Sequence, residues 1–196
     1  MKIYLIRHGE TSWNTLGRLQ GRTDIELNEK GRQQMERAAR ELAGRRFQVM
    51  ITSPLARAKE SGAILAQSVE IGEVLEDERL IEREFGELDG ARFSEDVRHR
   101  LYQEKVQGAE SLEAVGERMF AAVTAYAEAY EGDLLIVSHG SAITQLLKRI
   151  DPSLQPVHIH LNNASISLVE RCDGALRVVD YNMDAAYLNG ADGEDE

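Results

Sequence analysis

The residues with the clearest chemical potential are Arg7 and His8, which directly follow an apolar run near the amino terminus. Residues 3–6 are apolar without alternation, which is typical of a strand buried on both faces of a largely parallel sheet. In α/β proteins, ligands bind at the carboxyl ends of such strands. Gly9 follows the pair and allows the backbone to approach a ligand closely. This pattern predicts a ligand site where the first strand ends.

The same arrangement recurs at residues 134–140. Residues 134–137 form a second apolar run, and Ser138, His139 and Gly140 follow it directly. Two such strands in one parallel sheet end at the same edge, so we expect the two imidazoles to lie together. A helix is predicted to begin after His139, and the first amide groups of a helix favour an anion.

Two further charged residues could reach this edge. Arg57 lies one turn into a helix that we expect to begin at Ser53-Pro54, after a strand over residues 48–52. Glu82 lies in an acidic, glycine-containing segment, residues 70–93, which we expect to be mostly loop with one short strand. Considered alone, each of these two side chains is more often a surface residue than part of a site. Together with the two histidines they indicate a single site.

Other elements follow from apolar spacing and from capping residues. We expect helices from Asn28 to about residue 43, over 94–107, from Ser111 to about 130, and over 140–150. Residues 11–28 are too irregular for a helix. Residues 166–171 and 176–181 flank a turn and predict a β-hairpin. The alternation of strands and helices predicts an α/β fold with a mostly parallel sheet.

Length and composition exclude several classes of protein. A chain of 196 residues favours one domain, which we place at 1–189, followed by an acidic disordered tail at 190–196. The net charge of -11 argues against binding to nucleic acid or to an anionic membrane, although a few arginines can still hold an anionic substrate. Cys172 is the single cysteine, so a reducing, cytoplasmic location is expected. No segment is long and apolar enough for a signal peptide or a membrane span.

Taken in order, the motifs resemble those of the histidine phosphatase superfamily, which includes cofactor-dependent phosphoglycerate mutases. Arg7-His8-Gly9-Glu10-Thr11 with Trp13-Asn14 is similar to the signature of that family. The similarity extends from residue 2 to about residue 183. It continues in family order through Arg18-Leu19-Gln20-Gly21, Asp24, Leu27, Gly31, Ser53-Pro54-Leu55-Ala56-Arg57-Ala58, Glu82 with Gly86 and Gly90, Glu110-Ser111, Ser138-His139-Gly140 and Asn163-Ala164-Ser165.

The resemblance implies a phosphoglycerate mutase-like, three-layer α/β sandwich whose central sheet is flanked by helices. It implies a phosphohistidine intermediate on His8 and a phosphoryl group held by Arg7, Arg57, Asn14 and His139. Glu82 would donate and accept the proton, and substrate contacts would come from Asn14, Gln20, Gly21, Phe85 and Gly140. Because arginines can replace metal ions as partners of a phosphoryl group, we expect no metal and no cofactor.

These roles set chemical requirements for His8 and Glu82. His8 must attack as a neutral imidazole whose other ring nitrogen is hydrogen-bonded, and flanking cations should lower its pKa. Glu82 must hold a proton in order to release the alcohol, so burial or the bound phosphate has to favour its protonated form. We therefore expect a rate optimum on the acidic side of neutral pH.

The resemblance includes both phosphatases and mutases. Residues 82–90 look closer to the mutase form, with Phe85 where mutases usually carry tyrosine, whereas residues 18–21 and 162–166 resemble phosphatases. Nineteen residues separate Gly90 from Glu110, and mutases have a longer, basic insertion there. Arg98, His99 and Arg100 could supply such charge, or they could pair with nearby acids on a solvated helix. We expect a phosphatase acting on a small phosphorylated metabolite, with a phosphoglycerate mutase as the alternative.

Two alternatives come from other classes. A hydrolytic metal site could use His8, His139 and Glu82, or the alternating His158 and His160, but arginines beside His8 would repel a cation. A module that binds phosphorylated partners without turnover should lack the nucleophile or the acid, and this chain has both. The sequence leaves the physiological ester open, and it leaves the oligomeric state open, a homodimer included.

Overall fold

The amino-terminal apolar run forms strand β1 (Lys2–Arg7), which lies inside a six-stranded sheet. The structure, a computed structural model, describes residues 1–103, 106–155 and 159–187. The other strands of the sheet are β3 (Val49–Thr52), β5 (Val74–Glu76), β6 (Leu134–Ser138), β7 (Ile166–Cys172) and β8 (Ala175–Met183). Their order is β5-β3-β6-β1-β7-β8, and β2 (Arg46–Phe47) with β4 (Glu70–Ile71) forms a separate two-stranded parallel pair.

The four strands from β5 to β1 are parallel, and their register brings several carboxyl ends to one edge. Arg7 pairs with Ser138, and Thr52 pairs with Val137. The residues that follow these strands, among them His8, Ser53 and His139, therefore lie at the same edge of the sheet. The predicted hairpin is confirmed as β7 and β8, and β7 pairs with β1 in antiparallel direction.

Helices cover both faces of the sheet. They are α1 (Ser12–Thr15), α2 (Glu29–Glu41), α3 (Ala56–Leu65), α4 (Glu95–Gln103), α5 (Leu112–Ala129) and α6 (Gly140–Ile150). Ile3 and Leu5 of β1 belong to the same apolar core as α5 and α6, whereas Tyr4 and Ile6 belong to the core that contains α2 and α3. Successive side chains of a strand point to opposite faces, so the expected three-layer α/β sandwich is confirmed.

Two predicted helix starts are confirmed by their caps. The Asn28 side chain accepts a hydrogen bond from the Gly31 amide (2.7 Å), and the Ser111 hydroxyl accepts one from the Ala114 amide (3.1 Å). In each case the side-chain oxygen satisfies an amide that the first turn leaves unpaired.

The predicted start of α3 at Ser53-Pro54 is wrong, because the helix begins at Ala56 after Leu55. The Ser53 hydroxyl instead lies 2.7 Å from Nε2 of His139, so it serves a residue that is distant in sequence. Residues 11–28 do contain one helical turn, α1, which Thr11 caps reciprocally with Asn14. Residues 70–93 contain two short strands and two 3-10 turns, Glu78–Leu80 and Gly86–Leu88, where a single strand was expected. Helix α4 covers less of its segment than the 94–107 expected.

A third, smaller core lies beneath α4. It joins Phe85 and Leu88 to Val97, Leu101 and Val106. Gly86 has a φ of +57°, and a Cβ there would lie 2.1 Å from the carbonyl oxygen of Gln107. Only glycine allows this close approach of the two segments.

The expected tail at 190–196, the end of the proposed domain at 188–189 and His158 lie outside the described residues. Within the described ranges, no helix combines the length and apolar character needed to cross a bilayer.

Candidate active site

His8 lies at the carboxyl end of β1 and is 3% exposed. Its Nδ1 atom is 2.7 Å from the carbonyl oxygen of Gly9. A carbonyl can only accept, so Nδ1 carries the proton and the neutral ring has its lone pair on Nε2. Burial, followed by the charges of Arg57 and Arg7, holds the pKa of His8 well below its usual value. The ring is therefore a neutral imidazole at physiological pH.

His139 lies next to His8, with ring centroids 5.2 Å apart. It is fully buried, and burial and the charge of Arg57 hold its pKa well below the usual value. A neutral His139 that accepts at Nε2 from the Ser53 hydroxyl carries its proton on Nδ1. Nδ1 is buried and has no hydrogen-bond partner among the described residues. It can therefore donate to a ligand beside His8.

The Arg57 guanidinium is fully buried and is held by backbone carbonyls. Nη1 donates to the Thr23 carbonyl (3.0 Å), and Nη2 donates to the Gly21 carbonyl (2.7 Å). Burial lowers the pKa of Arg57 to about 10, and the charges of Glu82 and Asp24 oppose that shift. Arg57 is thus a fixed cation at neutral pH.

Arg7 supplies a second guanidinium, which packs against the first residue of α6. Its Nη1 donates to the Leu161 carbonyl, and burial lowers its pKa. A Cβ at Gly140 would lie 3.3 Å from Nε of Arg7 and 3.5 Å from its Cζ. The absence of a side chain at Gly140 therefore leaves room for this guanidinium.

Asn14 and Gln20 are joined through Thr11, which sequence reasoning quoted within the signature without a role. Oδ1 of Asn14 accepts from the Thr11 amide (3.1 Å) and from Nδ2 of Asn163 (3.2 Å). The Thr11 hydroxyl donates to Oε1 of Gln20 (2.8 Å). Because the oxygens of both amides are engaged in this way, their NH2 groups are the ones left to donate to a ligand.

The Glu82 carboxylate sits on the first turn of α6. Oε1 accepts from the amides of Arg83 (2.8 Å) and Ala142 (2.9 Å), and Oε2 accepts from the Ser141 amide (3.1 Å). Two of these amides belong to the first turn of α6, where a helix leaves its amides without a partner of its own. Glu82 is thus held rigidly at the edge where the two histidines lie.

These groups surround a cleft of about 480 Å³. Seven of the residues singled out from the sequence line it: Arg7, His8, Asn14, Gln20, Glu82, Phe85 and Gly140. Arg57 and His139 are buried beside His8 and do not line the cleft. Gly21 also lies outside the lining, and its carbonyl and amide instead bond Arg57 and Asp89 (both 2.7 Å).

Four buried nitrogen atoms of this site have no hydrogen-bond partner within the described structure. They are Nε of Arg7, Nε of Arg57, Nδ1 of His139 and Nε2 of Gln20. Buried polar groups are nearly always paired, and each of these four can donate. Donors of this number beside two guanidinium groups suit an anion with several oxygens.

Sequence reasoning missed Arg118 of α5. Its Nε and Nη2 bond the Glu110 carboxylate (2.7 and 3.0 Å), and its Nη1 donates to the Ile81 carbonyl (2.6 Å). Glu110 in turn accepts at its backbone oxygen from Nε of Arg83 (2.8 Å). These contacts hold the residues on both sides of Glu82, and no local pattern in the sequence indicates them.

The alternative metal sites can be compared with this geometry. Among the described residues, no group of three or more histidine, cysteine, aspartate or glutamate side chains is placed to hold a metal ion. His158 lies outside the described ranges, so the pair it forms with His160 has no described geometry.

Several known proteins that are similar to this chain are named phosphatases or phosphoglycerate mutase-like proteins. The chain is 33% identical over 193 residues to the uncharacterized phosphatase PhoE of Bacillus subtilis (96% of this chain and 97% of that protein). It is 32% identical over 200 residues to phosphoglycerate mutase-like protein 4 of Arabidopsis thaliana (95% and 86%). The crystal structure of phosphoserine phosphatase from Entamoeba histolytica, in complex with 3-phosphoglyceric acid, superposes with a TM-score of 0.78 at 26% identity (94% and 98%).

The model of the histidine phosphatase superfamily (branch 1) matches residues 3–184, which include every site residue described above. The fold, the order of the motifs and this match agree. The chain belongs to the histidine phosphatase superfamily.

Proposed function

We propose that this protein hydrolyses phosphomonoesters of small metabolites through a phosphohistidine formed on His8. The observation that carries the proposal is the bond from Nδ1 of His8 to the Gly9 carbonyl, which leaves the Nε2 lone pair beside Arg7 and Arg57. A neutral imidazole next to two fixed cations suits attack on a dianionic phosphate ester.

In the first step, Nε2 of His8 attacks the phosphorus atom. The P–N bond forms while the ester P–O bond breaks, and Glu82 gives its proton to the departing alcohol oxygen. Arg7, Arg57, His139, Asn14 and Gln20 donate to the non-bridging oxygens. The unpaired N–H groups of Arg7, Arg57, His139 and Gln20 support this role, because fixed donors need little reorganisation as charge develops.

In the second step, water attacks the phosphohistidine. The Glu82 carboxylate takes a proton from that water, a P–O bond forms and the P–N bond breaks. Inorganic phosphate leaves, and His8 returns to its neutral form. The cleft lined by Glu82 and His8 gives water access to both groups.

We further propose that the reaction is independent of metal ions. Burial lowers the pKa of His8 most, and the guanidinium groups of Arg57 and Arg7 lower it further by repelling a positive charge on its ring. They repel a metal cation for the same reason. The same two cations supply the charge stabilisation that Mg²⁺ gives in other phosphoryl-transfer enzymes.

Hydrolysis is favoured over mutase activity by the surroundings of α4. Arg98 pairs with Glu95 (2.6 Å), and Arg100 pairs with Glu87. Neither arginine lines the cleft, so neither provides the second cationic site that a phosphoglycerate would need.

The decisive experiment measures p-nitrophenyl phosphate hydrolysis with and without EDTA, followed by acid-free quenching and mass spectrometry of His8. We expect EDTA-resistant release of phosphate, a labile phosphate on His8, and loss of both in His8→Ala. The exposed His99→Ala is the matched control and should retain both. Label on another residue, or sensitivity to EDTA, would refute the mechanism. Isomerisation of 3-phosphoglycerate faster than phosphate release would identify a mutase, and phosphate-competable binding without turnover would identify a binding module.

A further inference from the structure

The cleft has an aromatic side that the proposed phosphoryl chemistry does not use. Phe93 and Tyr102 both line it, and each is 51% exposed. Phe85, which also lines the cleft, lies largely buried between them and the small core under α4. Large apolar side chains at such exposure usually contact a ligand or partner when they border a functional cleft.

The backbone fixes one of these rings at the cleft. The Phe93 amide donates to the Gly17 carbonyl (2.7 Å), and the Leu19 amide donates to the Ala91 carbonyl (2.8 Å). The segment that carries Phe93 is therefore tied to the segment that leads into Gln20. The ring stands at the cleft because of this pairing.

The charges around this space do not favour one kind of alcohol. Among the described residues that line the cleft, Arg18 is exposed and its Nη1 donates to the Gly90 carbonyl (2.8 Å), and Glu82 is acidic. The groove that adjoins the cleft at Tyr102 is lined by Lys148, Arg149 and Glu113. The exposed aromatic rings, and not the charges, therefore distinguish this side of the cleft.

There is room for a large alcohol beyond the aromatic side chains. Tyr102, Thr144, Gln145 and Ile159 line both the cleft and an adjoining groove of about 640 Å³. The combined space continues from His8 past the Tyr102 ring and along α6. A small alcohol such as glycerate would leave most of this surface uncovered.

We infer that Phe93 and Tyr102 select phosphomonoesters whose alcohol carries an aromatic or comparably bulky apolar group. The inference rests on the proposed hydrolase function and adds its substrate class. The phosphoryl group lies among the cations beside His8, and the apolar body of the alcohol lies against the two rings. Burial of an aromatic group against such a surface corresponds to roughly ten- to hundredfold in kcat/KM.

The test compares esters whose leaving groups are intrinsically similar. 2-Phenylethyl phosphate and ethyl phosphate both release a simple primary alcohol, so the ratio of their kcat/KM values reports contact with the phenyl ring. We expect a ratio of about 10 or more. Phe93→Ala and Tyr102→Ala should each lower the ratio several-fold, and Tyr102→Phe should keep it, because the ring makes the contact.

Tyr187→Ala is the matched control, since Tyr187 is 63% exposed and lies outside the cleft lining. It should leave the ratio unchanged. A wild-type ratio near 1, or a ratio that Phe93→Ala and Tyr102→Ala leave intact, would overturn the inference while hydrolysis itself stands. If none of the esters is hydrolysed, the proposed hydrolase function itself is wrong. This outcome differs from a failure of the inference, because activity is then absent whatever the alcohol.

Discussion

The Nδ1 atom of His8 donates to the carbonyl oxygen of the next residue, Gly9, over 2.7 Å. This contact needs no distant partner, so it forms as soon as the end of β1 takes its native conformation. It decides which ring nitrogen holds the lone pair. The other cationic and amide groups of the site come from distant segments, and they act on a ring whose tautomer is set locally.

Stability should fall as the pH decreases below about 6.5, because His8 and His139 are uncharged in the folded protein. Their pKa values are lowered on folding, so the unfolded chain binds more protons than the native one between its own pKa of about 6.5 and the lower folded values. The contribution is fully present above pH 6.5 and is lost as the pH falls. With both residues, the slope approaches about 2.7 kcal/mol per pH unit.

Denaturant titrations at pH 5 to 7.5 check this slope, and His8→Asn isolates one residue's share. The difference between the free energies of unfolding at pH 7 and pH 5.5 should be about half as large in the variant as in the wild type. Asp77 and Glu110 also have lowered pKa values, but they are present in both proteins and cancel in the comparison. Parallel curves for the wild type and the variant would contradict the neutral state of His8.

Glu82→Gln should slow turnover of alkyl phosphates by roughly 10²- to 10⁴-fold. The side chain keeps its size but cannot carry the proton to the alcohol. Hydrolysis of p-nitrophenyl phosphate should suffer less, because its leaving group needs little protonation. In the wild type, kcat for an alkyl ester should be greatest on the acidic side of neutral, and a flat profile from pH 5 to 8 would argue against Glu82 as the acid.

Gly140→Ala should reduce activity while leaving stability nearly unchanged. The new methyl would lie 3.3 Å from Nε of Arg7, so the guanidinium shifts by a few tenths of an ångström and phosphate binding weakens. We expect a fall of roughly tenfold in kcat/KM, equivalent to about 1.4 kcal/mol. The free energy of unfolding should change by less than about 1 kcal/mol, since alanine restricts the unfolded chain more than glycine does.

Gly31→Ala provides the contrasting control. A Cβ at Gly31 would lie 2.1 Å from the backbone oxygen of Glu10, and backbone atoms cannot move away cheaply. The free energy of unfolding of the variant should be lower by roughly 2 kcal/mol or more. Thermal unfolding of both variants with their kinetics separates the two effects, and equal destabilisation by both would contradict this account.

Arg118→Met should affect both stability and turnover, although Arg118 does not line the cleft. Its loss removes the two shortest hydrogen bonds of the Glu110 carboxylate, which keeps Arg22 and the Glu84 amide as partners (both 3.4 Å). It also removes the Arg118 hydrogen bond to the Ile81 carbonyl. We expect a cost of about 1–3 kcal/mol. Because Ile81 precedes Glu82, kcat for alkyl esters should fall more than KM changes. Arg118→Lys should recover part of the loss.

Arg98→Ala is the control for removal of a charge from an exposed ion pair. Arg98 pairs with Glu95 one helical turn away, so stability should change by no more than about 0.5 kcal/mol. The activity of the variant should stay the same toward phosphomonoesters of uncharged alcohols and toward those of carboxylate-bearing alcohols. A selective loss with 3-phosphoglycerate would instead assign Arg98 a role in substrate binding.

The elements that sequence reasoning predicted well are those with a local signal. The apolar runs of β1 and β6, the caps Asn28 and Ser111, and the hairpin of β7 and β8 depend on neighbouring residues. Helix α1 and the start of α3 were missed, since one turn has little apolar periodicity and since Ser53 could cap a helix or contact His139. The choice depended on a residue 86 positions away.

The sequence by itself determined that two His-Gly segments follow apolar strands and that the chain carries the ordered motifs of its family, because apolar runs and motif spacing are local properties. Only the tertiary structure decided where each polar group points. It placed the Gly21 carbonyl against Nη2 of Arg57, joined Asn14 to Gln20 through Thr11, and set Glu82 on the first amides of α6. Such contacts satisfy buried donors and acceptors across many intervening residues, and their geometry exists only once the layers have packed.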